Sequence, residues 1–458
     1  MTEPWTFQRD AIRAFRFVRC GLDAGSGVAQ LVYAFDDGPE LVETISFPGA
    51  PFDLEDARRA AVDRAVRLLH LIAGVSYYKA AVPAEIHIDG DGIDADTALL
   101  LQGIYLHGLG EFAYRNGLDL RARIHFPVGS SDTPAAPLRL QPHALTAIGG
   151  GKDSLVSIEA LRHAGIEQTV TWIGGSQLIK ACAARTGLPP LNISRQLAPQ
   201  LFDYNRQGAW NGHIPVTAVN SAILLVAALL HDADQVVFSN EHSASYGSTI
   251  TTPDGSRTFD VNHQWSKGWA FEQAFGEHVQ RHIAADLHYY SLLRPVSELG
   301  VARLFAKTTR YDGWFSSCNR NFHLLGPRPV NRWCGICPKC HFVFLALGVF
   351  MSKPRLVAIF GRNLLDDPIQ SAGFDALMEV DAHKPFECVG EARESRAAMA
   401  ALAARPEWRE DALVARFAHV IAPRLGDTVP ALDDLIALQG EHRIPAAVWD
   451  RLHAYLAA

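Results

Sequence analysis

Between Leu145 and Asn240 the sequence switches repeatedly between two hydrophobic periods, and no other feature narrows the possible folds as much. TAIGG, QTVTWIGG, LPPLNIS and DQVVFSN read as short strands. Helical spacing fills the gaps between them, at residues 154–163, 177–185 and 216–230. Strands that alternate with helices predict a parallel sheet covered by helices, an α/β fold. In such a sheet, ligands bind beyond the carboxyl ends of the strands.

The first strand–helix junction, Ala147-Ile148-Gly149-Gly150-Gly151-Lys152-Asp153-Ser154, carries the most specific chemistry. Its glycines let backbone N–H groups approach an anion, and the following helix offers its positive end to phosphate. Lys152 adds charge, Asp153 suits a magnesium ion, and Ser154 can donate to a phosphate oxygen. The spacing is neither the Walker A pattern nor the dinucleotide G-x-G-x-x-G pattern. It resembles the S-G-G-x-D-S loop of the PP-loop ATP pyrophosphatases, with Gly149 in place of the first serine. The resemblance implies an ATP-binding domain of that type over residues 141–295. It also implies an adenine seat near Trp172-Ile173-Gly174, at the end of the next strand.

The flanking regions differ in texture. Residues 1–140 read as an N-terminal α+β domain, with β-like runs at 28–35 and 41–47, a helix over 55–72, a strand at AEIHIDG and a helix near 95–115. Residues 130–142, rich in Ser, Pro and Ala, read as a linker. Residues 296–458 read as mostly helical, with helices over 297–307, 338–350, 391–403 and 411–421 and a cysteine-rich segment. In that segment Cys334, Cys337 and Cys340 are spaced for a metal rather than for disulfides, and Cys318 lies upstream. Four thiolates close a tetrahedral zinc site, and an iron–sulfur cluster fits the same ligands. A similar zinc knuckle follows the ATP domain of the 7-cyano-7-deazaguanine synthases. Cys20, Cys182 and Cys388 stand alone.

The net charge of −7 counts against a general nucleic-acid surface, although Arg320, Arg328, Arg332 and Lys339 form a local basic group. The opening MTEPWTFQRD has no secretory pattern, and the longest apolar run, at 219–230, is too short to span a bilayer. A cytoplasmic protein without membrane partners is the expectation.

Five further segments carry more polar groups than a core needs: 211–217, 239–244, 261–267, 318–322 and 383–388. Combined with GVSYYKA and the glycine and cysteine segments, their order and spacing from Gly74 to Glu391 resemble the UDP-N-acetylmuramoyl-L-alanyl-L-glutamate epimerases of the MurL type. The resemblance implies inversion of the terminal L-Glu of UDP-MurNAc-L-Ala-L-Glu to D-Glu, in the synthesis of peptidoglycan precursors. It also implies a requirement for ATP and Mg2+, with AMP and pyrophosphate released. An acyl-adenylate would neutralise the carboxylate and make the α-proton removable by a modest base.

His213, Glu241, His242, His263, Lys267, Glu387 and Cys388 are the candidate proton-transfer groups. Asn240, Arg320 and Lys384 are candidates for holding the substrate. Two other readings fit parts of the pattern: a deazaguanine synthase-like or tRNA-modifying PP-loop enzyme, and a nucleotide-binding protein without catalysis.

Overall fold

Alternating apolar residues at the N-terminus form three strands, β1 (Ala14–Asp23), β2 (Val28–Phe35) and β3 (Leu41–Ser46), which pair as an antiparallel meander. The computed structural model containing them describes residues 5–129, 134–251, 258–321, 329, 331–380 and 384–458. Helix α1 (Asp56–Ala73) and the single turn α2 (Val75–Tyr78) lead to β4 (Glu85–Ile88), which lies parallel to β1. Helices α3 (Ala95–Gly108) and α4 (Gly110–Asn116) follow.

The expected alternation comes next: β5 (Gln141–Ala147), α5 (Lys152–His163), β6 (Gln168–Ile173), α6 (Gln177–Thr186) and β7 (Pro190–Gln196). It continues through α7 (Gln200–Arg206), α8 (Val216–Leu230) and β8 (Ala233–Phe238). A small ladder of β9 (Ser248–Thr251) and β10 (Thr258–Val261) precedes α9 (Trp269–His278) and β11 (His288–Ser291). Helices α10 (Glu298–Ala306) and α11 (Pro338–Gly348) begin the helical C-terminal region.

All the strands except β9 and β10 form one nine-stranded sheet in the order β11-β8-β5-β6-β7-β3-β2-β1-β4. The five strands from β11 to β7 are mutually parallel. The two halves of the sheet meet where β3 pairs antiparallel with β7, with Ile45 opposite Arg195. Residues 1–140 and the alternating region therefore share a sheet. Two apolar cores cover its faces, and the neighbours Val236 and Val237 on β8 enter different cores, as strand alternation requires.

Some elements differ from the sequence reading. The helix expected near 95–115 is two helices, divided at Leu109, whose φ of −96° and ψ of 12° leave the helical region; Gly108 beside it packs closely on Pro215. The helix expected over 411–421 runs from Ala412 to Arg416 and widens into a π-helical turn over Phe417–Ile421. β1 is absent from the sequence reading; its alternation slips at a bulge between Phe17 and Arg19, where Val18 is an extra residue. α8 is almost wholly buried, and no helix among the described residues is long and apolar enough to cross a membrane.

The seam between the sheet halves carries an ion pair. Arg195 Nε donates to Glu43 Oε1 at 2.7 Å, with the two side chains 13% and 0% exposed, and Arg195 also reaches Ser76 Oγ at 3.2 Å. Removing one partner of such a pair strands a buried charge, which costs about 3–5 kcal/mol. Arg195→Met is expected to lower unfolding free energy by about that amount in urea titration. Arg16→Met is the control, because its partner Asp89 is 33% exposed and the pair is worth at most about 1 kcal/mol.

Candidate active site

The turn after β5 is shaped by close packing. Gly150 has φ 78°, and a β-carbon there would lie 2.7 Å from Leu178 Cδ2 of α6. A β-carbon on Gly151 would lie 2.8 Å from Ser317 Oγ. Only glycine takes these positions without displacing a neighbour. The Gly150 carbonyl accepts the Ser316 N–H at 2.9 Å, so the chain leading to Cys318 is bonded to the loop. Ser154 Oγ donates to the Gly151 carbonyl at 3.2 Å and accepts the Gly149 N–H at 3.4 Å, which closes the turn.

A cavity of about 360 Å³ opens over this loop, bordered by Gly149, Gly151, Asp153 and Ser154. Trp172 of β6, Thr217 and Asn220 of α8, and Ser239 and Asn240 after β8 form further walls. Lys267, Lys339, Asn319 and Cys388 complete it, so three distant parts of the chain meet at the carboxyl edge of the parallel strands. Trp172 is 6% exposed, and its indole N–H has no acceptor among the described residues. A larger cavity of about 740 Å³, bordered by Arg64, Arg67 and His278, shares no residue with this one. Its two arginines already donate to backbone carbonyls.

Under the loop, Lys152 is 1% exposed and pairs with Asp153 at 2.5 Å and with Glu298. Its ammonium is committed to carboxylates instead of facing the cavity. Burial favours the neutral acid at Glu298, whose pKa is pushed up to about 7 despite the Lys152 charge. Burial works the same way on Asp153, but the charges of Lys152 and Lys339 outweigh it and hold that carboxyl below its usual value.

On the opposite wall, Lys267 ends a short turn (Trp265–Lys267) ahead of α9. Its ammonium donates to Cys388 Sγ at 3.2 Å. Arg294, buried and paired with Glu272 at 2.8 Å, donates to the carbonyls of Lys267 and Glu241 and fixes that turn. His263 lies close enough to the same thiol for the sulfur to raise its proton affinity, and its Nδ1–H donates to Glu111 Oε2. Glu111 also accepts from Arg115 at 2.6 Å. His213 packs on His263, with ring centroids 4.3 Å apart.

These contacts set the charges. Burial would raise the Cys388 pKa, but the Lys267 charge, the neighbouring His263 and the Lys339 charge bring it down to about 5. Burial would lower that of His263, but the neighbouring Cys388 sulfur and the hydrogen bond to Glu111 raise it to about 9. The neighbouring thiolate is the largest influence raising that of Lys267. Cys388, His263 and Lys267 therefore stand at neutral pH as an anion between two cations. His213, driven down to about 4 chiefly by burial, is neutral.

Of the proton-transfer candidates, Lys267 and Cys388 border the cavity, and His263 and His213 lie directly behind them. Glu241 instead caps a turn, accepting Ser243 Oγ at 2.6 Å and the Ala244 N–H at 3.0 Å. The His242 ring packs against Gly440, and Glu387 is half-buried outside the cavity wall. Asn240 borders the cavity and donates to Ser291 Oγ at 2.9 Å. Arg320 is exposed beside Asn319, and Lys384 lies over the Tyr246 ring at 5.7 Å. Gly174, with φ 91°, ends β6 outside the wall. Phe322, Arg328, His383 and residues 130–133 lie outside the described residues. The sequence reading missed Glu111, whose signal is a lone acid in the apolar stretch Leu109-Gly110-Glu111-Phe112-Ala113.

Cys318, Cys334, Cys337 and Cys340 converge, all four sulfurs lying within 4.8 Å of one another. The Cys334–Cys340 and Cys318–Cys337 sulfur pairs are 3.7 and 3.9 Å apart. Tetrahedral Zn–S bonds of about 2.3 Å give S···S edges of about 3.8 Å, so the four thiols fit a zinc ion.

Fold and site together define an α/β protein in which a glycine loop, a thiolate–ammonium pair and a four-cysteine cluster adjoin one another. The family profile of the MurL N-terminal domain matches residues 6–292, and that of the MurL C-terminal domain matches residues 314–429. The chain is 69% identical over 452 residues to the UDP-N-acetyl-alpha-D-muramoyl-L-alanyl-L-glutamate epimerase of Xanthomonas oryzae pv. oryzae, covering 98% of this chain and 99% of the relative. It is 41% identical over 437 residues to the epimerase of the same name from a Micromonospora species, covering 94% of this chain and 96% of the relative. The corresponding Salinispora tropica protein is 42% identical over 406 residues, with 88% and 87% covered. The chain belongs to the MurL family.

The charge assignment is open to titration. Iodoacetamide labelling of Cys388, followed by peptide mass spectrometry, is expected to rise with a midpoint near pH 5, because the thiolate forms above that value. Cys20, which burial pushes up to about 11, is the internal control and labels only at alkaline pH. Lys267→Met removes the leading cation and is expected to move the Cys388 midpoint upward.

Proposed function

We propose that the protein is an ATP-dependent epimerase that inverts the terminal L-Glu of UDP-MurNAc-L-Ala-L-Glu to D-Glu during peptidoglycan precursor synthesis. The observation that carries this reading is the single cavity that joins a phosphate-type glycine loop to an acid–base pair, Lys267 and Cys388. The names of the relatives supply the substrate.

The arrangement suits the difficulty of the reaction. An ionised carboxylate next to the α-carbon resists proton loss, because the product would be a dianion. Transfer of AMP to that carboxylate removes its charge and leaves an electron-withdrawing acyl group. The loop of the PP-loop type would hold the phosphates through its backbone N–H groups and the N-terminus of α5. Asp153 is the residue suited to hold Mg2+, which would neutralise phosphate charge. The unpartnered indole N–H of Trp172 offers a donor to the nucleotide. Lys267, with Cys388 and His263 beside it, supplies groups that can take a proton from the α-carbon and return one.

Zinc in the four-cysteine cluster would be structural, since four thiolates leave no coordination position open. It would brace the chain that bonds to Gly150.

The test is incubation with ATP, Mg2+ and UDP-MurNAc-L-Ala-L-Glu in deuterated water, with pyrophosphate and glutamate chirality and mass as readouts. Pyrophosphate release together with deuterated D-Glu is the expected result, and release without inversion would sink the epimerase reading. Asp153→Asn is expected to cut pyrophosphate release by at least about 100-fold, more than the loss of an outer-shell metal partner. Elemental analysis of the purified protein should find one zinc per chain. Cys337→Ser should lose it and melt at a lower temperature.

A further inference from the structure

The notable feature of Cys388 is what backs it. Its sulfur lies 3.2 Å from Lys267 Nζ and borders the cavity, with the hydrogen-bonded His263–Glu111 pair close by. Thiolate, imidazolium and carboxylate come from three different regions of the chain and gather beside one cavity wall. That grouping activates a nucleophile: the acid orients the imidazole, and the imidazole holds the sulfur ionised. The same sulfur borders the cavity over Asp153 and Ser154, where a carboxyl–phosphate bond would lie.

We propose that Cys388 is a covalent nucleophile, attacking the activated carboxyl carbon of the substrate's terminal glutamate and holding the glutamyl group as a thioester during inversion. The proposal rests on the ATP-activation reading given above.

The steps balance. The Cys388 thiolate gives its electron pair to the acyl carbon of the mixed anhydride. A C–S bond forms, the C–O bond to phosphorus breaks, and AMP leaves with that pair. The α-proton then departs and a proton returns on the opposite face, with no net change in composition. Finally water attacks the thioester carbonyl, the C–S bond breaks, and the thiolate is regenerated with the D-glutamyl carboxylate. The water's protons pass to neighbouring bases and solvent. ATP and water are the co-reactants.

Two arguments favour this role over proton abstraction by the sulfur itself. A thiolate stabilised by two cations is a weak base, yet its nucleophilicity falls by only about 0.4–0.5 log units per pKa unit. The C–S bond also removes the sulfur's charge, the leading influence that keeps Lys267 protonated. The ammonium beside it can then release its proton to solvent, and the free amine takes the α-proton once the substrate is loaded.

The experiment uses the full-length protein with ATP, Mg2+ and UDP-MurNAc-L-Ala-L-Glu, stopped by rapid acid quench and read by intact-protein mass spectrometry. A protein adduct equal to the substrate minus water, mapped to Cys388 and released by neutral hydroxylamine, is the expected result. Cys388→Ser should keep measurable ATP–pyrophosphate exchange, which reports its fold and the activation step, but lose the labile adduct and at least about 10³-fold of the epimerisation rate. Glu111→Gln should slow adduct formation and raise the pH midpoint of Cys388 labelling, a shift that a purely structural role for Glu111 would not produce. No pyrophosphate exchange in the wild type would overturn the activation reading. Exchange without any adduct, or a Cys388→Ala variant that epimerises at the wild-type rate, would overturn the thioester alone.

Discussion

The bond from the Ser316 N–H to the Gly150 carbonyl holds the functional part of the molecule together. It exists because Gly150 takes a left-handed conformation that turns its carbonyl toward the C-terminal region. Cys182 Sγ reinforces the junction by donating to the Trp314 carbonyl at 3.1 Å. The cysteine cluster lies directly beyond, with Cys318 completely buried. The geometry of the glycine turn thus depends on a segment more than 150 residues away, bonded to it through backbone next to the packed thiols. A glycine loop built only from its own strand and helix would lack that support.

The second organising constraint is electrostatic. Buried charges occur in alternation, with Lys152 between Asp153 and Glu298, and the Cys388 sulfur between Lys267 and His263. Each is tolerable only beside its opposite, because an isolated buried ion is expensive. Charges held this way shift proton affinities in the directions chemistry needs, giving a sulfur that is anionic and an imidazole that is cationic at neutral pH. Arg294 contributes without facing the cavity, by clamping the backbone on which Lys267 is carried.

Much of this was legible in the sequence. α8 runs between the residues its apolar spacing predicted, and the glycine loop and the four cysteines announced themselves by spacing alone. Lys267, Cys388 and His263 were named as candidates because they sit in polar segments that a core does not require. Their convergence was not legible, since it depends on tertiary packing between segments 121 residues apart, as for Lys267 and Cys388. Glu111 was invisible for a related reason: a single acid in an apolar helix reads as a solvent-facing residue until His263 is found against it. Lys152 is the converse case. The motif marked it as a phosphate ligand, whereas carboxylates from two elements draw it beneath the loop. Glu241 was chosen for its place after a strand, and it spends its carboxylate on the turn that begins there.

The seam where β3 pairs with β7 has a further consequence. Without the N-terminal strands, β7 would be an open edge, exposing unpaired N–H and C=O groups along the flank of a five-stranded parallel sheet. Such an edge recruits other chains. The N-terminal region therefore covers this edge as well as supplying Glu111. A fragment beginning at β5 would expose that edge and be prone to aggregate, so the N-terminal strands belong to the same folding unit as the parallel sheet.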